Sequence, residues 1–451
     1  MKKFLYMLSI LSVLLIVTSC SESLTDVNID PNNPTQVSLN LQLPEILAQS
    51  AFNEGTNPNR VAGIVTQQFF GLDAQQLAYN NYLLGADVMN NYWGTGLYAG
   101  VLRSCSVIIN GSEDRPIYGA IAKIVMANEF GKATSFFGDI PYSEAFQGTD
   151  NLTPKYDSQE SVYGSVQTLL SEAISELEGG AGGYFGGDLV YDGDAASWIK
   201  TAHGLKARYY MHTSKRNGGD AAKAMAEVGM SFASNAEAGG FQFEVSESAN
   251  WSLAKFGIER PSTLGVDDRF AAMMENDPRL PAYSEFDGTQ WTFFNGAQGT
   301  LVWGRSDAKV PTISFVELKF IQAEAMASGG GNPSAVLEEA ILASMELSGV
   351  VDDGYAATAS SDASVENIVT EAYKAYFGFN FHESWTNWRR TGFPALVASS
   401  GCGDNGFNPS CSVPQRYLYA ESERQTNREN VEAATAAQGG DLLDVALWAF
   451  K

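Results

Sequence analysis

Apolar residues recur at steps of three and four over most of the chain, the spacing of one buried face of an α-helix. Between positions 157 and 178, Val162, Val166, Leu169, Leu170, Ala173, Ile174 and Leu177 make one such stripe. Asp157 at its entry with Glu160 three residues on forms a capping box, and Gly179-Gly180 ends it. The same spacing predicts helices over 86–110, 118–137, 194–214, 220–234, 314–328, 333–347 and 364–379. Short Gly, Asn and Asp turns join neighbouring segments, so the predicted architecture is mainly α, a solenoid of stacked helix pairs. The pattern changes over 241–311, where short apolar runs at 241–245, 292–294 and 300–303 stand among Gly, Asn, Asp and Pro. That region reads as loops with short strands, the kind of elaboration on which binding residues sit.

The N-terminus follows another pattern. Lys2 and Lys3 precede an apolar run from Phe4 to Val17, and Val17-Thr18-Ser19-Cys20 is a small-residue cleavage site ending in cysteine. As a helix, the fourteen apolar residues rise only about 21 Å, short of a hydrocarbon core of roughly 30 Å. Residues 1–19 therefore read as a lipoprotein signal peptide, with the Cys20 thiol taking the diacylglyceryl and palmitate-type chains of a membrane anchor. No later window holds eighteen unbroken apolar residues. Residues 20–40 are polar around Asp30-Pro31-Asn32-Asn33-Pro34 and read as a lipidated tether, followed by a single domain over 41–451. Asp26, Asn28 and Asp30 have calcium-loop spacing, but Pro31 stands where such a loop needs Gly, and Val37 where it needs a bidentate Glu.

Composition narrows the chemistry. With 28 Lys+Arg against 52 Asp+Glu the formal charge is −24, and −26 once Lys2 and Lys3 leave with the signal, so nucleic acid is excluded as a partner. A hydrophobic share of 45% supports a sizeable core rather than an acidic disordered chain. There are three histidines, and His203 and His212 lie nine apart on one predicted helix, on opposite faces, where they cannot share a metal. His382-Glu383 lacks the second histidine of a zinc-protease motif, and neither a nucleophile elbow nor a phosphate-binding loop occurs. No catalytic residue, metal ligand or cofactor is assigned, and a carboxylate pair for glycoside hydrolysis is the one catalytic chemistry left open. Cys402 and Cys411 flank a loop-like stretch and are candidates for a local disulfide in an exported chain, while Cys105 reads as a buried free thiol.

Aromatic residues, 12% of the chain, are the better lead. A sugar ring stacks its C–H face on Trp, Tyr or Phe while amides take its hydroxyls. One cluster holds Tyr79, Asn80, Asn81, Tyr82, Asn90, Asn91, Tyr92, Trp93 and Tyr98, the other Gln290, Trp291, Thr292, Phe293, Phe294, Asn295, Trp303 and Arg305. The ligand-binding candidates are Trp291, Phe293, Phe294, Trp303, Gln290 and Asn295, with Tyr79, Asn81, Tyr82 and Trp93. Core packing is the competing reading, above all for Trp93 and Tyr98.

Motifs in order along the chain resemble those of the SusD/RagB family of Bacteroidetes surface lipoproteins. The turn at Asp30 to Pro34, Phe137-Gly138-Asp139-Ile140-Pro141-Tyr142, and Pro154 to Asp157 are similar to the family's segments. So are Gly187 to Asp194 with Trp198 through Arg208, although His203-Gly204 stands where the family has Asn-Ser. Further matches are Phe315 to Ala325, Ile341 to Met345 with Gly349 and Val350, Glu383 to Pro394, and Pro414 to Tyr419 with Glu423 and Asn427, where Ala420 replaces a usual Pro. Within these motifs Trp385 and Arg389, four apart, suit a cation–π contact, and Arg208, Arg390 and Arg416 are expected to pair with Glu324 or Glu423 inside the scaffold.

The resemblance implies a TPR-like body anchored at the extracellular face of the outer membrane. It would be a nonenzymatic lid that binds an oligosaccharide or polysaccharide and delivers it to a SusC-like TonB-dependent transporter. The same architecture capturing peptides is the alternative, and a surface glycosidase a third reading.

Overall fold

The structure, a computed structural model, describes residues 37–402 and 406–451. The signal, Cys20 and the Asp26 to Asp30 spacing lie outside the described residues. Helices of eight residues or more are α1 Leu39–Asn53, α2 Asn57–Val65, α3 Arg103–Gly111, α4 Pro116–Phe137, α5 Gln159–Glu178, α6 Ala195–Thr213 and α7 Asp220–Val228. They continue with α8 Ser252–Glu259, α9 Phe315–Ser328, α10 Ser334–Leu347, α11 Val365–Ala375, α12 Phe381–Thr391 and α13 Arg428–Gln438. The strands are β1 Phe69–Gly71, β2 Gly240–Gln242, β3 Leu264–Val266, β4 Glu285–Phe286, β5 Trp291–Thr292 and β6 Lys309–Pro311.

The helix starts follow from side-chain caps. Asp194, Ser314 and Ser364 accept the backbone N–H groups of Ser197, Glu317 and Asn367 at 3.0, 3.1 and 3.2 Å, satisfying donors that have no partner within the helix. At α5 the cap is Ser158, whose hydroxyl accepts from Ser161 N, rather than the expected Asp157. Asp157 instead accepts the N–H groups of Tyr142 and Ser143 at 3.0 and 2.8 Å, tying the Phe137 to Tyr142 turn to the start of α5.

The expected helix over 86–110 is broken in three: a 3₁₀ turn at Ala86–Met89, a π-helical stretch at Tyr92–Leu102, and α3. Gly94, Gly96 and Gly100 explain the break, because glycine holds a helix poorly, and a Cβ on Gly100 would lie 2.1 Å from the Thr95 carbonyl oxygen. The helices expected over 220–234 and 364–379 end early, at Val228 and Ala375.

Consecutive helices pack in sequence: α4 on α5, α5 on α6, α6 on α7, α7 on α9, then α9 on α10 and α11, with α11 on α12 and α12 on α2. α4 is buried on almost every side, the mark of a central helix. A smaller core of Val316, Phe320, Leu337, Ile341, Ile368 and Tyr376 joins α9, α10 and α11. Of three two-stranded antiparallel ladders, β1 with β3 fastens the 241–311 region to the body, while β2 with β6 closes that region at its base and β4 with β5 is a hairpin within it. That region is less loop-like than its composition suggests, since it holds α8 and two further short helices, Asp268–Met273 and Leu280–Tyr283.

The family-like motifs are structural. Asp188 accepts Val190 N, Gly193 N and the Trp198 indole N–H at 2.9, 2.9 and 2.7 Å, locking the turn that launches α6. The Arg389 guanidinium lies 4.1 Å over the Trp385 ring. Arg390 pairs with Glu324 as expected. Arg208 takes Glu317 instead, bidentately at 2.6 and 2.7 Å. Among the described residues Arg416 has no carboxylate partner: it donates to Gln438 Oε1 and Tyr417 O, and Glu423 is held by Trp93 Nε1, the Tyr156 hydroxyl and Asn427. Cys402 and Cys411 are joined by a disulfide with a Cα separation of 5.7 Å, and Cys105 is buried and free.

His212 and Glu383 sit in the core, His212 Nε2 to Glu383 Oε1 at 2.9 Å and the Tyr163 hydroxyl on His212 Nδ1 at 2.9 Å. Burial pushes the imidazole below its ordinary range, with the Glu383 charge opposing. The folded His212 thus stays neutral where an unfolded histidine takes a proton, below about pH 6.5. A base depressed on folding removes stability as the pH falls through that point. Relative to a His212→Gln variant, the native chain should lose urea stability between about pH 7 and about pH 5. Parallel pH curves for the two proteins would refute the assignment.

A candidate ligand groove

α1, α2, the short helix Ala74–Tyr79, the π-helical stretch and α8 enclose an open groove of about 490 Å³. That volume falls within the roughly 300–1,000 Å³ of small-ligand sites, and the groove remains open, as a chain-like ligand needs. α1 presents Gln49, Phe52 and Asn53 to it, at i, i+3 and i+4 on one face. The wide turn of the π-helical stretch adds Asn91, Tyr92, Thr95 and Gly96. Gly96 allows close approach to α1, since a Cβ there would lie 3.1 Å from Asn53 Oδ1. The Ser252 hydroxyl donates to Phe52 O at 2.6 Å, holding α8 against α1 across 200 residues of chain.

The lining is rich in amides. Gln49 Nε2 donates to Asn53 Oδ1 at 2.9 Å, and Asn53 Nδ2 donates to Gly96 O at 3.0 Å. Asn57 accepts from Arg60 Nη2 at 2.7 Å, and the Arg60 guanidinium lies 4.2 Å over the Phe256 ring. Phe52 is exposed and Phe256 half-buried, so both offer apolar ring surface. Three lining residues carry a buried polar atom with no partner among the described residues: Tyr92 Oη, Gln76 Oε1 and Arg60 Nε. Such atoms are rare in folded proteins and expensive to leave unpaired, and these three lie behind the groove wall, out of reach of solvent.

Beyond Phe256 and Arg260 a second cleft of about 220 Å³ continues, lined by Gln290, Thr292, Phe293, Phe294, Glu285 and Asp287. Of the aromatic-cluster candidates, Gln290, half-buried Phe294 and buried Phe293 reach this cleft. Trp291 packs on Phe286 with ring centroids 5.6 Å apart, and Asn295 bonds Thr300 Oγ1 at 3.0 Å. Trp303 is only 4% exposed and stacks on Phe379 at 4.4 Å, while Phe293, 2% exposed, meets Phe69 at 4.9 Å.

Trp93, Tyr79 and Tyr82 are likewise buried, Trp93 against Phe137, Tyr98 and Tyr419. Their ring faces belong to the core, and burial removes these five aromatics as open stacking platforms. Asn81 and Tyr82 border a separate cleft where Asn81 Oδ1 accepts from the Ser399 hydroxyl at 2.9 Å. The two amino-acid clusters therefore do not form one site. The groove residues on α1, α2 and α8 were missed, although the amide–aromatic–amide spacing of Gln49, Phe52 and Asn53 was there to read.

Among the described residues no three His, Cys, Asp or Glu side chains gather as a metal site would require, and His203 and His212 serve different partners, Glu227 and Glu383. No described helix is long and apolar enough to cross a membrane.

No curated protein matches the chain in sequence. Solved structures are similar over nearly its whole length. A SusD/RagB family protein from Bacteroides thetaiotaomicron superposes with a TM-score of 0.76 at 21% identity, covering 92% of this chain and 99% of that one. A chitin-binding SusD homolog from Flavobacterium johnsoniae gives 0.75 at 20% identity, covering 91% and 98%. A further structure, titled a chitin-binding protein, gives 0.74 at 23%, covering 92% and 100%. At these identities the likeness establishes the fold. The sequence signature of the SusD-like family described as starch-binding and associating with the outer membrane matches residues 31–420. That match takes in most of the chain, which therefore belongs to the SusD-like family.

Proposed function

We propose that this protein is a surface glycan-capturing lipoprotein. It holds a sugar chain in the groove between α1, α2 and α8 and passes it to a partner TonB-dependent transporter in the outer membrane. The observation that carries the reading is an open groove in which the amides of Gln49, Asn53 and Asn57 stand beside two accessible phenyl rings, Phe52 and Phe256. Sugar hydroxyls donate and accept at once, so one ligand type can pair with amide donors and amide acceptors together. The family description and the two chitin-binding structural relatives point the same way.

Capture rather than hydrolysis fits the lining. Glu259 is the groove's single lining carboxylate, one short of the pair that glycoside hydrolysis uses. The signal over 1–19 and Cys20 supply the anchor in this reading, and tethering beside the transporter raises the effective concentration of the pair.

Titration with a panel of oligosaccharides tests the proposal. At least one glycan should bind, and Phe256→Ala should weaken it about tenfold, the loss of one stacked ring plus its packed arginine. A panel without a binder, or Phe256→Ala binding as tightly as the native chain, refutes it.

A further inference from the structure

Over the whole chain acidic side chains outnumber basic ones nearly two to one, 52 to 28. Along the groove between α1 and α8 the balance reverses: Arg60, Lys255 and Arg260 face a single carboxylate, Glu259. Lys255 is 3.8 Å from Glu259 across one helical turn, an exposed and weak pair. Among the described residues neither Arg60 nor Arg260 has a carboxylate within ion-pair distance. Arg60 donates Nη1 to Gly55 O at 2.5 Å and Nη2 to Asn57 Oδ1, one of the two hydrogens on each nitrogen. A guanidinium carries five N–H donors in a fixed fork, so Arg60 keeps donors in reserve beside an unneutralised charge.

We propose that the groove selects an anionic glycan, one bearing carboxylate or sulfate groups, with Arg60 and Arg260 as the anion-reading residues and Lys255 in support. The inference deepens the glycan-capture reading and rests on it. Sugar rings would lie on Phe52 and Phe256 while the anionic substituents meet the guanidinium groups. Carboxylate and sulfate each match the guanidinium fork with paired hydrogen bonds.

Like charges left side by side support the assignment. Burial pushes the Arg60 guanidinium down to about 10, and the neighbouring Arg260 pushes it the same way, with Tyr79 opposing. Arg60 remains charged at neutral pH, and a bound anion would relieve its repulsion by Arg260. The strongly negative chain does not prevent this, because the screening length at physiological salt is only about 8 Å, so local charges govern the contact. The sign changes beyond Arg260, where the adjoining cleft carries Glu285 and Asp287, so anionic substituents are placed on the α1–α2 side.

The test is titration of the full mature chain with oligouronates, with the same oligomers after methyl esterification, with a sulfated oligosaccharide series, and with neutral chitin oligosaccharides. The uronate or the sulfated series should bind about tenfold tighter than the neutral oligomers, the worth of one charge-assisted hydrogen bond. That advantage should shrink as NaCl is raised. Arg260→Gln, a change at an exposed position, should remove most of it, and Arg60→Gln should do the same if the variant melts like the native protein. Which series wins identifies the anion. Equal affinity for acid and methyl ester in the absence of sulfate binding, or an Arg260→Gln variant that keeps the preference, overturns the inference and leaves glycan capture standing. A panel with no binder of any kind overturns both.

Discussion

Trp303→Ala should lose about 3–5 kcal/mol of stability, the usual cost of emptying a buried indole site. The indole is 4% exposed, stacks on Phe379 at 4.4 Å, and its carbonyl oxygen accepts the Trp251 indole N–H at 3.1 Å. The backbone is shaped around it: Gly378 takes a φ of +88°, and a Cβ there would sit 2.4 Å from the Trp303 side chain. Such a loss is a large share of the roughly 5–15 kcal/mol that keeps a domain folded. Trp291→Ala, at a half-buried hairpin position, should cost about 1 kcal/mol or less. Urea unfolding followed by tryptophan fluorescence and circular dichroism separates the two variants. Neither should weaken glycan binding in the α1–α8 groove. A stable Trp303→Ala protein that has lost its ligand would return this residue to the binding surface.

Arg208→Met should destabilise by a similar amount, about 3–5 kcal/mol, because it strands a buried carboxylate. Arg208 holds Glu317 with two hydrogen bonds, Asn128 Oδ1 at 3.0 Å and Thr312 O at 3.2 Å, so it fastens α6 to α9 and to the centre of α4. Glu317 also accepts from Asn380 at 3.0 Å. Arg208→Lys should recover only part of the loss, since an ammonium cannot reproduce the planar fork. Denaturant midpoints for the native chain, Arg208→Met and Arg208→Lys should fall in the order native, Lys, Met. Equal midpoints would show the network to be dispensable. This network also explains a sequence motif: Arg208, Glu317 and Glu383 come from three separate family-like segments and meet in one buried cluster, Arg208 Nε lying 3.7 Å from Glu383.

The scaffold was legible wherever local chemistry decides it. Asp194, Ser314 and Ser364 start their helices because a capping side chain needs only residues within reach along the chain. Asp157 was misassigned because Ser158 competes for the same donors and the carboxylate has a distant alternative in the 140–143 turn. α1 escaped notice because Pro44 interrupts its reading and the polar stretch before it looks like a tether.

The ligand site was less legible, for two physical reasons. Trp303 and Phe293 stand among Gly and Asn, which suggested exposed loops, yet those glycines let the chain fold its aromatics inward: a Cβ on Gly304 would lie 1.9 Å from the Phe293 carbonyl oxygen. The groove itself is made by α1, α2 and α8, segments whose juxtaposition depends on long-range packing and on the single Ser252 to Phe52 bond. Its charge reversal was equally hidden, because Arg60 and Arg260 are 200 residues apart in sequence and become neighbours only in the fold.

The central claim is that the α1–α2–α8 groove is where the sugar chain lies. A crystal structure of the mature protein with its tightest-binding oligosaccharide tests it most directly. The account predicts sugar density against Phe52 and Phe256, with ligand oxygens within hydrogen-bond distance of the Gln49, Asn57 and Arg60 side chains. Density in the cleft beside Asn81 and Ser399, or over the Trp291 hairpin, with the groove holding only water, would contradict it.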